Sequence, residues 1–159
     1  MVCTCLGLGS NLGDRRQQIN GAIAWLAEIA GTVQVISDFH ETLPWGYQSS
    51  NPYLNAAVQI ETPLSPHDLL SVIQKIEFDL GRTSKSKACQ YTDRPIDIDI
   101  LIYGDLILHT PGLVLPHPLM HKRLFVLQPL SEIAPNVIHP VSGRTISELY
   151  HDLLSMQQE

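Results

Sequence analysis

Basic residues are scarce and unevenly spread: ten lysines and arginines face sixteen aspartates and glutamates, a formal net charge of −6. That balance argues against a general nucleic-acid binder. No Lys or Arg lies between Gln17 and Gln74, while six of the ten fall in two short segments. These are Arg82, Lys85, Lys87 and Arg94, then Lys122 and Arg123, and such clustering suits a local anionic ligand. Cysteine is rare as well. Cys3, Cys5 and Cys89 form no disulfide framework, and Cys-x-Cys without partners is not a zinc spacing. Cys3 and Cys5 read as small core residues, and Cys89 receives no role. No apolar run reaches about 18 residues, and no basic segment precedes an apolar one at the N-terminus. The expectation is a soluble cytoplasmic protein. The chain also lacks the Gly-Lys-Ser/Thr of a Walker loop and the glycine spacing of a dinucleotide fold.

What is present suits one globular domain spanning residues 1–159, with 44% hydrophobic and 16% charged residues. Val2 to Leu8 reads as a strand, and Gly9 to Gly13 as a turn. Asp14 with Gln17 makes a capping box for a helix that Gly31 ends. Thr32 to Glu41 alternates as a second strand. Leu43 to Pro52 is a loop, and Tyr53 to Glu61 a third strand. Ser65 and Pro66 start a helix that Gly81 stops. Arg82 to Arg94 is a basic loop, and Pro95 to Tyr103 the fourth strand. The order βαββαβ is that of a ferredoxin-like α+β fold with an antiparallel sheet. A hairpin from Gly104-Asp105 to Leu106–His109, a short helix within residues 117–128 and a terminal helix from Ile146 to Ser155 complete it.

The most informative stretch is Arg94-Pro95-Ile96-Asp97-Ile98-Asp99-Ile100. Its period of two puts Asp97 and Asp99 on one strand face, about 6.6 Å apart. Two carboxylates at that spacing can hold a pair of divalent cations. A solvated strand face is the alternative, but Leu101 and Ile102 carry the strand into the core, and Arg94 stands beside it. Tyr53 and Asn55 also share a face. An aromatic plane beside an amide suits a flat heterocycle, with core packing as the alternative. Leu115-Pro116-His117-Pro118 and Lys122-Arg123-Leu124-Phe125 gather a histidine, two cations and an aromatic ring, which suits a phosphate site or a solvated basic turn. The other histidines are scattered and receive no assignment. Together these segments describe phosphoryl transfer without a P-loop, where positioning and charge neutralisation by metals carry the catalysis.

Four ordered blocks then resemble a known family: Gly7-Leu8-Gly9-Ser10-Asn11-Leu12-Gly13-Asp14, Asn51-Pro52-Tyr53-Leu54-Asn55-Ala56-Ala57-Val58, Asp93-Arg94-Pro95-Ile96-Asp97-Ile98-Asp99-Ile100-Leu101, and Leu115-Pro116-His117-Pro118 through Arg123-Leu124-Phe125 to Ala134-Pro135. The family is 6-hydroxymethyl-7,8-dihydropterin pyrophosphokinase. The resemblance implies a ferredoxin-like fold and transfer of diphosphate from ATP to the pterin hydroxymethyl group, releasing AMP, in folate biosynthesis. It implies that Asp97 and Asp99 bind two Mg2+ ions. Tyr53 and Phe125 would sandwich the pterin and Asn55 would read its edge, with Thr42, Pro44 and Trp45 nearby. Gln74, Glu77, Lys85, Ile100 and His117 would lie with the nucleotide. Arg82, Arg94 and Arg123 would contact the phosphates and act in catalysis. The family's tryptophan ahead of the arginine is replaced by Tyr91, which is expected to serve as the aromatic lid over the pterin. A monomer is expected, with a homodimer as the alternative. Two rivals remain: a two-metal phosphodiesterase or nuclease, and a non-catalytic ferredoxin-like binding module.

Overall fold

Seven strands and four helices follow one another among the described residues of this computed structural model, which are 1–42, 52–81 and 95–157. They are β1 (Val2–Ser10), α1 (Arg15–Ile29), β2 (Thr32–Ile36), β3 (His40–Thr42), β4 (Tyr53–Thr62), α2 (Pro66–Asp79), β5 (Asp97–Tyr103), β6 (Leu108–Thr110), β7 (Leu113–Leu115), α3 (Leu124–Ile133) and α4 (Ile146–Gln157). A single 3-10 turn, Met120–Lys122, precedes α3.

Local chemistry sets the helix ends. The Asp14 carboxylate accepts the Gln17 N–H at 3.1 Å and starts α1. Ser65 does the same for α2 by accepting from Asp68 N at 3.2 Å, with Pro66 in the first turn. Gly31 ends the first αβ unit for a steric reason: a Cβ there would lie 2.2 Å from the Glu61 carbonyl oxygen.

The main sheet runs β2-β4-β1-β5, all pairs antiparallel, with β3 also pairing to β4. One face carries Leu6, Leu8, Leu54, Ala56, Val58, Ile98 and Ile100, which pack under the stripes of α1 and α2. The other face carries Cys5, Ala57 and Leu101, covered by α3, α4 and Met120. A bulge between Cys5 and Leu6 lets Leu101 and Ile102 both enter that second core. The result is three layers, with the sheet in the middle.

Four expectations are corrected. Of the two first-strand cysteines only Cys5 lies in the core, while Cys3 is exposed. Gly9 and Ser10 belong to β1 and not to the turn, because both pair with β4. The second strand is split into β2 and β3. Ser37 N–H donates to the Ala57 carbonyl at 2.9 Å, but its hydroxyl, in place of a backbone carbonyl, accepts the Ala57 N–H at 2.8 Å. Pairing resumes only at His40 opposite Asn55, so three residues on one strand face two on the other. The chain after Gly104 does not fold back on β5. Instead β6 pairs with β7 in a separate two-stranded sheet. Among the described residues no helix is long and apolar enough to cross a membrane.

Candidate active site

The register of the sheet builds the site. Gly9 on β1 lies opposite Asn55 on β4 and Asp97 on β5, and His40 on β3 lies opposite Asn55. Directly opposed residues share a face, so His40, Asn55, Gly9 and Asp97 form one row across the sheet. Thr42 opposite Tyr53, and Gly7 opposite Asp99, extend that face on either side. α3 reaches this row at His40, through Glu132.

Gly9 lets an amide and an aromatic ring approach the backbone closely. A Cβ there would stand 3.0 Å from Asn55 Oδ1 and 3.3 Å from Tyr53 Cδ1, tighter than a side chain tolerates. Asn55 is 5% exposed, and its Nδ2 donates to Thr42 Oγ1 at 2.6 Å. That bond fixes the amide with Oδ1 toward Gly9. Tyr53 and Phe125 are half-buried, and Phe125 packs at the margin of the second core.

Asp97 and Asp99 are half-buried at the start of β5, on the same face. Mg2+ is characteristically held by one or two carboxylates together with waters and substrate phosphates. The two acids, opening beside a space, fit that donor set. His117 is tied to β5 by its N–H, which donates to the Leu101 carbonyl at 2.9 Å. Burial pushes its imidazole below the usual histidine value, Arg123 pushes the same way, and Asp97 opposes them. His117 Nδ1 accepts the Leu119 N–H at 3.2 Å, so the proton of the neutral ring sits on Nε2 as a donor. The Arg123 guanidinium lies over the Phe125 ring, 5.6 Å from its centroid. Acid, histidine, arginine and aromatic ring therefore converge from β5, the β7–α3 connection and the start of α3.

On the outer edge of β5, the buried Glu77 carboxylate accepts the Ile98 N–H at 2.8 Å and tethers α2 to the strand. Ile100 has the same parity, so its backbone polar groups face that edge while its side chain, 4% exposed, stays in the first core. Gln74 is exposed one turn before Glu77. Pro44, Trp45, Arg82, Lys85, Lys87, Cys89, Tyr91 and Arg94 lie outside the described residues. Sequence reading gave no role to His40, Arg15 or Glu132, whose bonds reach β3 from α1 and α3. Glu132 falls inside the last block of the family resemblance, but the block gives it no role, and each of the three pairs across a long sequence separation.

A family described as 7,8-dihydro-6-hydroxymethylpterin-pyrophosphokinase (HPPK) matches residues 5–135. The chain is 47% identical over 141 residues to the 2-amino-4-hydroxy-6-hydroxymethyldihydropteridine pyrophosphokinase of Porphyromonas gingivalis, covering 88% of this chain and 95% of that one. It is 41% identical over 148 residues to the enzyme of the same name from Aquifex aeolicus, covering 93% and 90%. Its fold is similar to a Plasmodium falciparum HPPK-DHPS structure with pteroate, at a TM-score of 0.78 and 18% identity. That match covers 99% of this chain, which spans 43% of the Plasmodium one. The chain belongs to the 7,8-dihydro-6-hydroxymethylpterin-pyrophosphokinase family.

Proposed function

We propose that the row Asn55–Gly9–Asp97 is the floor on which pterin and triphosphate meet. The chain is an ATP-dependent diphosphotransferase of folate biosynthesis that acts on hydroxymethyldihydropterin. The single observation that carries the residue assignment is the cross-sheet register, which sets an amide and an aromatic ring on one side of Gly9 and a carboxylate on the other.

In this reading the pterin ring lies over Gly9 between Tyr53 and Phe125. Asn55 Oδ1 accepts from the ring edge, and Thr42 holds the amide in that orientation. The hydroxymethyl oxygen then points toward Asp97. It bonds to the β-phosphorus of ATP and gives up its proton to solvent as the bond from that phosphorus to the α-bridging oxygen breaks, and AMP leaves with that oxygen. Bound Mg2+, two ions in this assignment, supplies the positive charge that neutralises the phosphate oxygens. Asp97 and Asp99 hold it, and Asp97 also orients the hydroxyl. His117 donates through Nε2 to a phosphate oxygen, and its neutral state at pH 7 avoids a charge penalty beside Arg123. Arg123 offers a planar cation to the transferred group. Arg82, Lys85 and Arg94 are assigned to the phosphates and Pro44, Trp45 and Tyr91 to the pterin on the family resemblance. Glu77, Gln74 and the Ile100 backbone on the outer edge of β5 are assigned to the nucleoside. Residues 1–159 are taken as one pyrophosphokinase domain that acts as a cytoplasmic monomer.

The test is AMP release from ATP with and without 6-hydroxymethyl-7,8-dihydropterin, each with Mg2+ and with EDTA. AMP is expected only with pterin and Mg2+ together. AMP release independent of pterin would sink the assignment of the acceptor site.

A further inference from the structure

The three residues of β3 are each gripped by a side chain from a different element. Thr42 accepts from Asn55 on β4. Glu41, on the opposite face, pairs with Arg15 of α1 at 2.6 Å, and Arg15 also donates to the Pro52 carbonyl at 3.0 Å. His40 Nε2 meets Glu132 Oε2 of α3 at 2.6 Å, while Glu132 Oε1 accepts the Asp38 N–H at 3.1 Å. A three-residue strand has few ladder bonds of its own, and the break at Ser37 separates it from β2. Its position is therefore set largely by these side chains. Glu132 also lies seven residues, about two helical turns, after Phe125, so both project from the same stripe of α3.

We propose that Glu132 is a positioning residue for the pterin pocket: its carboxylate locks α3, which carries Phe125, to β3, which carries Thr42. The inference rests on the pterin reading given above. The carboxylate touches no reacting atom. It fixes the distance between the two walls, one bearing the Phe125 ring and the other Thr42, Tyr53 and Asn55. Both of its oxygens are used, and its partners are 92 and 94 residues away in sequence, so the bond ties the last helix before the C-terminal segment to the first half of the sheet. A misplaced wall costs affinity for a flat ring held between two faces. It costs less for ATP, whose assigned contacts lie mostly toward β5, Arg123 at the start of α3 being the exception.

The experiment measures KM for the dihydropterin and for ATP separately, with kcat and Tm, in Glu132→Ala, Glu132→Gln, His40→Phe and Asn55→Ala. Loss of two bonds to a carboxylate in Glu132→Ala is expected to raise the pterin KM about tenfold and leave the ATP KM within about twofold. Glu132→Gln keeps an acceptor for the Asp38 N–H but sets an NH2 donor against His40 Nε2, so it should recover only part of the loss. His40→Phe removes one bond while keeping bulk and should raise the pterin KM about threefold, which covers the case of a poorly folded Glu132→Ala. A pterin KM unchanged in both Glu132→Ala and His40→Phe, beside a raised one in Asn55→Ala, overturns this inference alone. So does an equal rise for both substrates that follows Tm. If Asn55→Ala also leaves the pterin KM unchanged, the pocket is elsewhere and this inference falls with it.

Discussion

The two faces of one sheet differ more than any two elements of this molecule. On the first, β1, β4 and β5 present Leu6, Leu8, Val58, Ile98 and Ile100 to α1 and α2, all at 5% exposure or less. On the second, the same strands present Gly7, Gly9, Tyr53, Asn55, Asp97 and Asp99, and the helices cover only the far half. Adjacent residues therefore answer to different demands. Ile98 is held by its volume, and Asp97 and Asp99 on either side of it by their charge. The period of two lets one strand close a core and open a site within the same few residues.

Substitutions that separate stability from turnover would break or sharpen this contrast. The largest effect is expected on the open face: Asp97→Ala or Asp99→Ala should cut kcat/KM by at least about 10³-fold, close to 4 kcal/mol of transition-state stabilisation. Tm should hardly move, and a differential scanning run on the same samples checks it. On the closed face, Leu6→Ala should lose about 2–5 kcal/mol of stability by denaturant unfolding, with kcat per folded molecule retained. Gly9→Ala is smaller and more specific. Its Cβ would press on Asn55 Oδ1 and the Tyr53 ring, so the pterin KM should rise about fivefold to tenfold, with less change for ATP. Smallest is a pH effect away from the site. Burial, then the proximity of His121, lowers the His139 pKa from its ordinary 6.5. The unfolded chain then takes up a proton below pH 6.5 that the native ring refuses, so stability should fall as pH drops from about 6.5 toward the lowered native value. His139 Nδ1 accepts from Val141 N and Ser142 N. His139→Asn keeps an acceptor without titrating and should flatten part of that decline.

Sequence carried most of the sheet because its signals are local. Alternation fixed β4 and β5 to within a residue or two, and Asp14, Ser65 and Pro66 marked the starts of α1 and α2 by bonds within a single turn. The carboxylates and the Tyr53–Asn55 pair were legible for the same reason, since parity alone puts each pair on one face. The break at Ser37 was not, because it depends on which group takes the N–H of Ala57, twenty residues on. Pairing of β6 with β7 rather than β5 was equally hidden. Glu132 fell within the last block of the family resemblance, but its role was hidden, because only the fold supplies His40 and Asp38 as its partners.

The row Asn55–Gly9–Asp97 also works as a ruler. On the proposed assignment, two interstrand spacings, roughly 10 Å in total, separate the backbone assigned to the ring from the backbone assigned to the phosphate end. That length is set by hydrogen-bond ladders and not by a loop. A pterin with one extra methylene before its hydroxyl is then expected to overshoot the phosphorus even if its ring is bound equally well, so chain-length selectivity would follow from the spacing of the strands.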